Sequence, residues 1–131
     1  MQFEAGQKFI SVRDPTISAE VVQARHDGHV AWLQIRALNG ELLDKGQVNS
    51  AQIAGHWMLL APGYGEPIER ADHRIWVIAD EGLFQACTAR IDRRPIRAGA
   101  SLGPIAFTHH YEKPEHALAA AESAIASREV E

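Results

Sequence analysis

Two stretches of the chain gather residues that could hold a metal or move a proton. In the first, His26 and His29 flank Asp27-Gly28. An Asp-Gly pair at the centre of a two-residue hairpin turn takes positive φ at both positions, and the flanking residues form the first pair of the ladder. That register sets the two imidazoles across from one another on one face, about 5.5 Å apart at Cα. A closed zinc site needs four ligands and a catalytic one three, whereas the nearest residues on the same face are Ala24 and Ala31. The stretch is therefore read as a turn, with the histidines capping the rim of an apolar face made by Val22, Ala24, Ala31, Leu33 and Ile35. No metal site is expected there.

The second stretch brings His109, His110 and His116 together in sequence. Neighbours on a strand point to opposite faces, so His109 and His110 do not share an ion, and their spacing is not that of the helical HExxH pair. Structural or solvent-facing roles are expected.

Other reactive patterns break down on inspection. The glycines after Pro62 do not extend to G-x-G-x-x-G, because Ile68 stands in the third place. Residues 98–104, AGASLGP, lack the Gly-Lys-Ser/Thr ending of a phosphate loop, and there is no G-x-S-x-G elbow. Asp80 and Glu81 sit at a hairpin tip, where carboxylates are solvated turn residues. Cys87 is the single cysteine, so no disulfide forms within the chain, and it reads as a small buried apolar residue. No catalytic residue and no cofactor is expected.

Residues suited to binding are more concentrated. With Asp27-Gly28 as a two-residue turn, the polar face of the hairpin pairs Arg25 with Val30, Gln23 with Trp32, Val21 with Gln34 and Ala19 with Arg36. An indole between arginines is the composition of interface hot spots and also suits stacking on a base. Farther along, Arg90, Arg93, Arg94 and Arg97 stand against Asp92 alone. Their guanidinium forks fit carboxylate or phosphate.

The elements that must position these residues are mostly strands. In the first half, strand-like runs begin at Gln7, Ile17, His29 and Glu41, with a bend at Asp14-Pro15 and hairpin signals at Asp27-Gly28 and Asn39-Gly40; a fifth covers residues 56–60. Five short strands predict a small SH3-like barrel or a twisted meander over residues 1–62. Two prolines and two glycines within residues 61–70 mark a break, and the linker is placed at 63–70.

Residues 71–131 read as a sheet with one C-terminal helix. The hairpin about Glu81-Gly82 is apolar on both faces: Ile75, Val77, Ala79, Phe84 and Ala86 on one, Trp76, Ile78, Leu83 and Cys87 on the other. Further strands are expected through Arg93–Arg97 and Pro104–His109. From Pro114 onward a helix carries an apolar stripe of Leu118, Ala121 and Ile125. One helix cannot cover both faces of the hairpin, so the first half or a partner chain must cover the other; packing into one compact unit is expected.

Composition narrows the function. Hydrophobic residues make up 46% and charged residues 23% of the 131, as in folded globular chains. A net charge of −4, from 13 basic and 17 acidic residues, argues against a surface wholly given to nucleic acid or anionic lipid. No apolar run approaches the roughly 20 residues that span a bilayer, and the N-terminus lacks the pattern of a secretory signal, so a cytoplasmic location is expected. Together these predict a non-enzymatic accessory protein of the kind bacteria and their mobile elements use as adaptors or inhibitors. A protein partner is expected at Trp32, Arg25, Arg36, Arg90, Arg93, Arg94 and Arg97, and a homodimer is compatible. The alternatives are a nucleic-acid-binding module using the Arg90–Arg97 cluster and, behind it, a small metal-independent enzyme.

Overall fold

A computed structural model of the chain describes residues 2–53, 55–91 and 105–127. The chain divides into two units, Met1–Leu59 and Leu60–Glu131, each built on its own antiparallel sheet. The fold is α+β and mostly β, with a helix at the C-terminal end.

In the first unit, β1 (Lys8–Ser11), β2 (Ser18–Ala24), β3 (Val30–Arg36), β4 (Leu42–Asn49) and β5 (Trp57–Leu59) pair in the order β4-β3-β2-β1-β5. A single helical turn, α1 (Ser50–Ile53), precedes β5. The order leaves β4 and β5 as edges, so of the two expected forms the twisted meander is the one adopted, not a closed barrel. The bend between β1 and β2 follows its sequence signal. Pro15 has no N–H to give a ladder, and the Asp14 carboxylate accepts from the Thr16 N–H at 3.1 Å and the Thr16 hydroxyl at 2.6 Å.

The hairpins of this unit depart from the two-residue turns expected. Only the glycine of each pair has positive φ, +75° at Gly28 and +91° at Gly40. The Asp27 carboxylate accepts from the His29 N–H at 3.0 Å and the Asn39 amide oxygen from the Glu41 N–H at 2.9 Å. These local bonds hold Asp27 and Asn39 at negative φ and leave the left-handed position to glycine alone. Arg25 N–H then closes on the Val30 carbonyl and Ala37 N–H on the Glu41 carbonyl, so the loops hold four and three residues. His26 and His29 consequently lie in the loop and do not face each other as a ladder pair.

A second departure lies within β2. Gln23 pairs with Trp32 as expected, but the next pair is Val21 with Leu33, because a bulge at Val22 shifts the register by one residue. The expected apolar face placed Val22 inside and Val21 outside; the structure reverses them, with Val21 at 1% exposure and Val22 at 47%. Strand alternation explains why. Ala19 and Val21 lie an odd number of residues from Ala24, so a regular strand cannot turn all three inward, whereas one extra residue switches the face midway. Phe9, Ala19, Val21, Ala31, Leu33 and Ile53 form the core with Phe3, whose ring meets Phe9 edge-on at 6.2 Å.

In the second unit, β6 (Ile68–Arg70), β7 (His73–Asp80), β8 (Leu83–Arg90) and β9 (Ala106–Phe107) pair in that order. Residues 68–70, within the stretch read as a linker, thus pair with β7. Glu81 and Gly82 have φ of +51° and +82°, and Asp80 pairs with Leu83, the two-residue turn and register expected. Of the further strands, Arg93–Arg97 lies outside the described residues, while Pro104–His109 contributes β9. Helix α2 (Pro114–Ala126) starts with proline in its first turn. It buries Ala117, Ala121 and Ile125 against the Ile75 and Ala86 face, with Leu118 at the margin of the stripe. Trp76, Ile78 and Cys87 on the other face are buried too. No helix among the described residues is long and apolar enough to cross a membrane.

Gly28 and Gly40 allow a controlled comparison. A Cβ at Gly28 would lie 2.9 Å from the Gln2 Cβ, whereas one at Gly40 meets nothing within 4 Å. Gly40→Ala is expected to cost about 1 kcal/mol for the left-handed backbone alone, and Gly28→Ala about 2 kcal/mol or more because the N-terminal segment must also shift. Urea unfolding of both variants checks the difference; equal losses would mean that Gln2 does not pack on this turn.

Candidate partner-binding surface

The outer face of the first sheet is set by the residues that alternate with its core. Because Ala31 and Leu33 point inward, Trp32 points outward, between Gln23 on β2 and Gln47 on β4. Strands lie about 4.8 Å apart, so the three side chains form one row across the sheet. Trp32 is 36% exposed. The neighbouring row joins Glu20, Gln34 and Lys45, and the next joins Ser18, Arg36 and Leu42.

Arg25 and Arg36 share this face with Trp32, but both are already engaged. The Arg25 fork grips Asp27 through Nε at 2.9 Å and Nη2 at 2.6 Å. Arg36 donates from Nη1 to the Gly40 carbonyl and from Nη2 to the Gln34 side chain, each at 2.9 Å. Their remaining donors can meet a partner, yet the Arg25 charge is largely answered by Asp27. Arg90 belongs to the second unit, with Nη2 3.7 Å from Asp72. Arg93, Arg94 and Arg97 lie outside the described residues.

What sequence reasoning missed is β4. The run expected from Glu41 is a strand from Leu42 to Asn49 that forms an edge, and every residue from Leu42 to Gln47 is exposed. Leu42 and Leu43 are 45% and 50% exposed, and Leu38 in the adjoining loop is 38%. An edge of this length presents unpaired N–H and C=O groups ready to take another strand. Its sequence, LLDKGQVN, has little β-branching and no clean alternation, so it gives a weak strand signal; pairing with β3 decides its conformation.

Two polar groups of the second unit also escaped notice. His73 is 5% exposed, its Nδ1 is 2.8 Å from the Asp72 carboxylate, and its Nε2 has no hydrogen-bond partner among the described residues. Asp72 is held below the usual carboxylate range by its own backbone N–H and then by His73 and Arg90. The pair is adjacent in sequence and sits at a tight turn, where only coordinates reveal which side chain folds inward. His26 and His29 are exposed, His110 Nε2 lies 3.1 Å from Asp80, and no group of three metal-ligating side chains occurs among the described residues. The chain matches no family model, no curated protein and no solved structure.

Two measurements follow from these environments. Burial pushes the Cys87 thiol up to about 12. A disulfide reagent at pH 8 is therefore expected to leave native protein unlabelled and to react fully in guanidinium; rapid native labelling would place Cys87 at the surface. The Asp27 carboxyl is held well below its ordinary range, first by the Arg25 hydrogen bond and then by the His29 N–H. A depressed folded pKa stabilises above the unfolded value, and this contribution is lost as pH falls toward the folded one. The stability deficit of Asp27→Asn should thus hold constant from pH 7 to 5 and shrink below about pH 4; a deficit independent of pH down to 3 would contradict the pairing.

Proposed function

We propose that this chain acts by binding, taking an extended segment of another protein along β4 and the face that carries Trp32. The observation that carries this reading is where the exposed apolar side chains fall. Val22, Trp32, Leu38, Leu42 and Leu43 all belong to β2, β3, β4 and the loop between the last two, whereas Leu83 and Phe107 are the other large exposed apolar residues described. Scattered apolar residues are ordinary on a surface, but Leu38, Leu42 and Leu43 fall together at the open edge, and such a group marks an interaction site.

Strand addition supplies main-chain hydrogen bonds from the edge and side-chain selection from the rows beside it. Here the rows offer an indole, amides from Gln23, Gln34 and Gln47, and the charge of Lys45. Charges on an edge discourage indiscriminate pairing and favour a partner of complementary sequence. The net charge of −4 favours a protein over nucleic acid. An adaptor or inhibitor role fits such a surface, since it needs no reactive centre.

The test is affinity capture from cells that make the protein, with Trp32→Ala and Leu43→Lys as controls. Leu43→Lys should change stability by no more than about 0.5 kcal/mol and Trp32→Ala by about 2 kcal/mol or less. Each should weaken the captured complex at least about tenfold, the equivalent of roughly 1.4 kcal/mol. A complex that withstands nuclease and loses affinity in both variants supports the reading. Unchanged affinity in both, or capture of nucleic acid that is lost steeply with salt, overturns it.

A further inference from the structure

No strand pairs with the outward side of β4, yet side chains of the same unit occupy two of its outward donors. The Ser50 N–H donates to the His29 carbonyl at 3.1 Å, and the register then turns the main-chain groups of Val48, Gly46 and Asp44 toward β3. Lys45, Gln47 and Asn49 therefore point theirs away from the sheet. The Lys45 N–H donates to the Asp44 carboxylate at 2.8 Å, and the Asn49 N–H to the Gln52 side-chain oxygen at 2.7 Å. Of these three, the Gln47 N–H alone lacks a partner among the described residues.

The two caps differ in kind. The Gln52 N–H answers with a bond to the Asn49 side chain at 3.1 Å, so this reciprocal pair starts α1 and ends the edge. Asp44 has no such role. It is exposed, and no basic side chain pairs with it among the described residues. Its carboxylate sits on the one donor that a strand bonded to Gln47 needs in order to extend toward Leu42 and Leu43. A carbonyl that takes the Lys45 N–H must displace the carboxylate, and the displacement costs affinity unless a new donor meets that charge.

We infer that Asp44 gates the β4 edge, and that the segment entering there runs antiparallel and carries Lys or Arg directly opposite Asp44. This rests on the reading of β4 as a docking strand and names the partner's chemistry. With Lys45 and Gln47 bonded to the segment, Asp44 falls in a non-hydrogen-bonded pair, where Cα atoms are about 4.5 Å apart and side chains are closest. The cation takes over the carboxylate, and the freed Lys45 N–H takes a carbonyl of the segment. A second copy of this chain does not supply that cation. A two-fold axis between antiparallel β4 strands keeps residues of one face opposite residues of the same face. Asp44 pairs with Ile35 on the core side, whereas Lys45, the only basic residue of β4, pairs with Gln34 on the outer side.

Three amidated seven-residue peptides are the probes, with alternating Thr and Val about a central Lys, Gln or Glu. In ¹⁵N–¹H titrations of the full chain, fitted at the Lys45, Gly46 and Gln47 amides, the Lys peptide should bind about two- to fivefold tighter than the Gln peptide, and the Glu peptide weakest. Asp44→Asn should make the three equal. Asp44→Ala should speed hydrogen exchange at the Lys45 amide severalfold and leave the Gln47 amide unchanged. Equal affinities in the native chain overturn the gate while leaving strand addition standing, since shifts at these amides would still report it. A Lys preference that survives Asp44→Asn, or Lys45 exchange untouched by Asp44→Ala, also overturns the gate alone. No shift with any peptide overturns the gate and strand addition together.

Discussion

The outward surface of the first unit depends on a single extra residue in β2. Alternation permits each strand one inward set of side chains, and this strand carries apolar residues in both sets. The bulge at Val22 resolves the conflict by turning Ala19 and Val21 inward on one side of it and Ala24 on the other. Its consequence is an exposed Val22 beside the row that holds Trp32. A regular strand would sacrifice core burial at Val21 to hide Val22, exchanging equal side chains but leaving Ala19 and Val21 outside the packing around Phe9. The same choice that completes the core therefore leaves apolar residues on the outer face.

The second unit solves a different problem. Its hairpin is apolar on both sides, and α2 takes the side with Ile75 and Ala86. Alanines at 117 and 121 let the helix approach closely, because nothing beyond Cβ holds it away.

Local signals carried much of this into the sequence. Glu81-Gly82 fixed its hairpin register because no side chain there competes with the backbone, so both residues take positive φ. The proline bend, the single helix and its stripe were legible for similar reasons, each being set within a few residues. Asp27 and Asn39 misled because their side chains bond to the backbone two residues on and lengthen the loop. The Val22 bulge was illegible since it answers a core assembled from distant strands. Trp32 keeps the outward face expected of it because the bulge lies in β2 and β3 alternates regularly past it.

The most direct test of this account is whether Val21 or Val22 faces solvent. In methyl-labelled protein, a soluble nitroxide should broaden the Val22 methyl signals and the Trp32 indole signal strongly while sparing Val21 and Leu33. Broadening of Val21 with protection of Val22 would show a regular β2, and the outer surface described for the first unit would not exist.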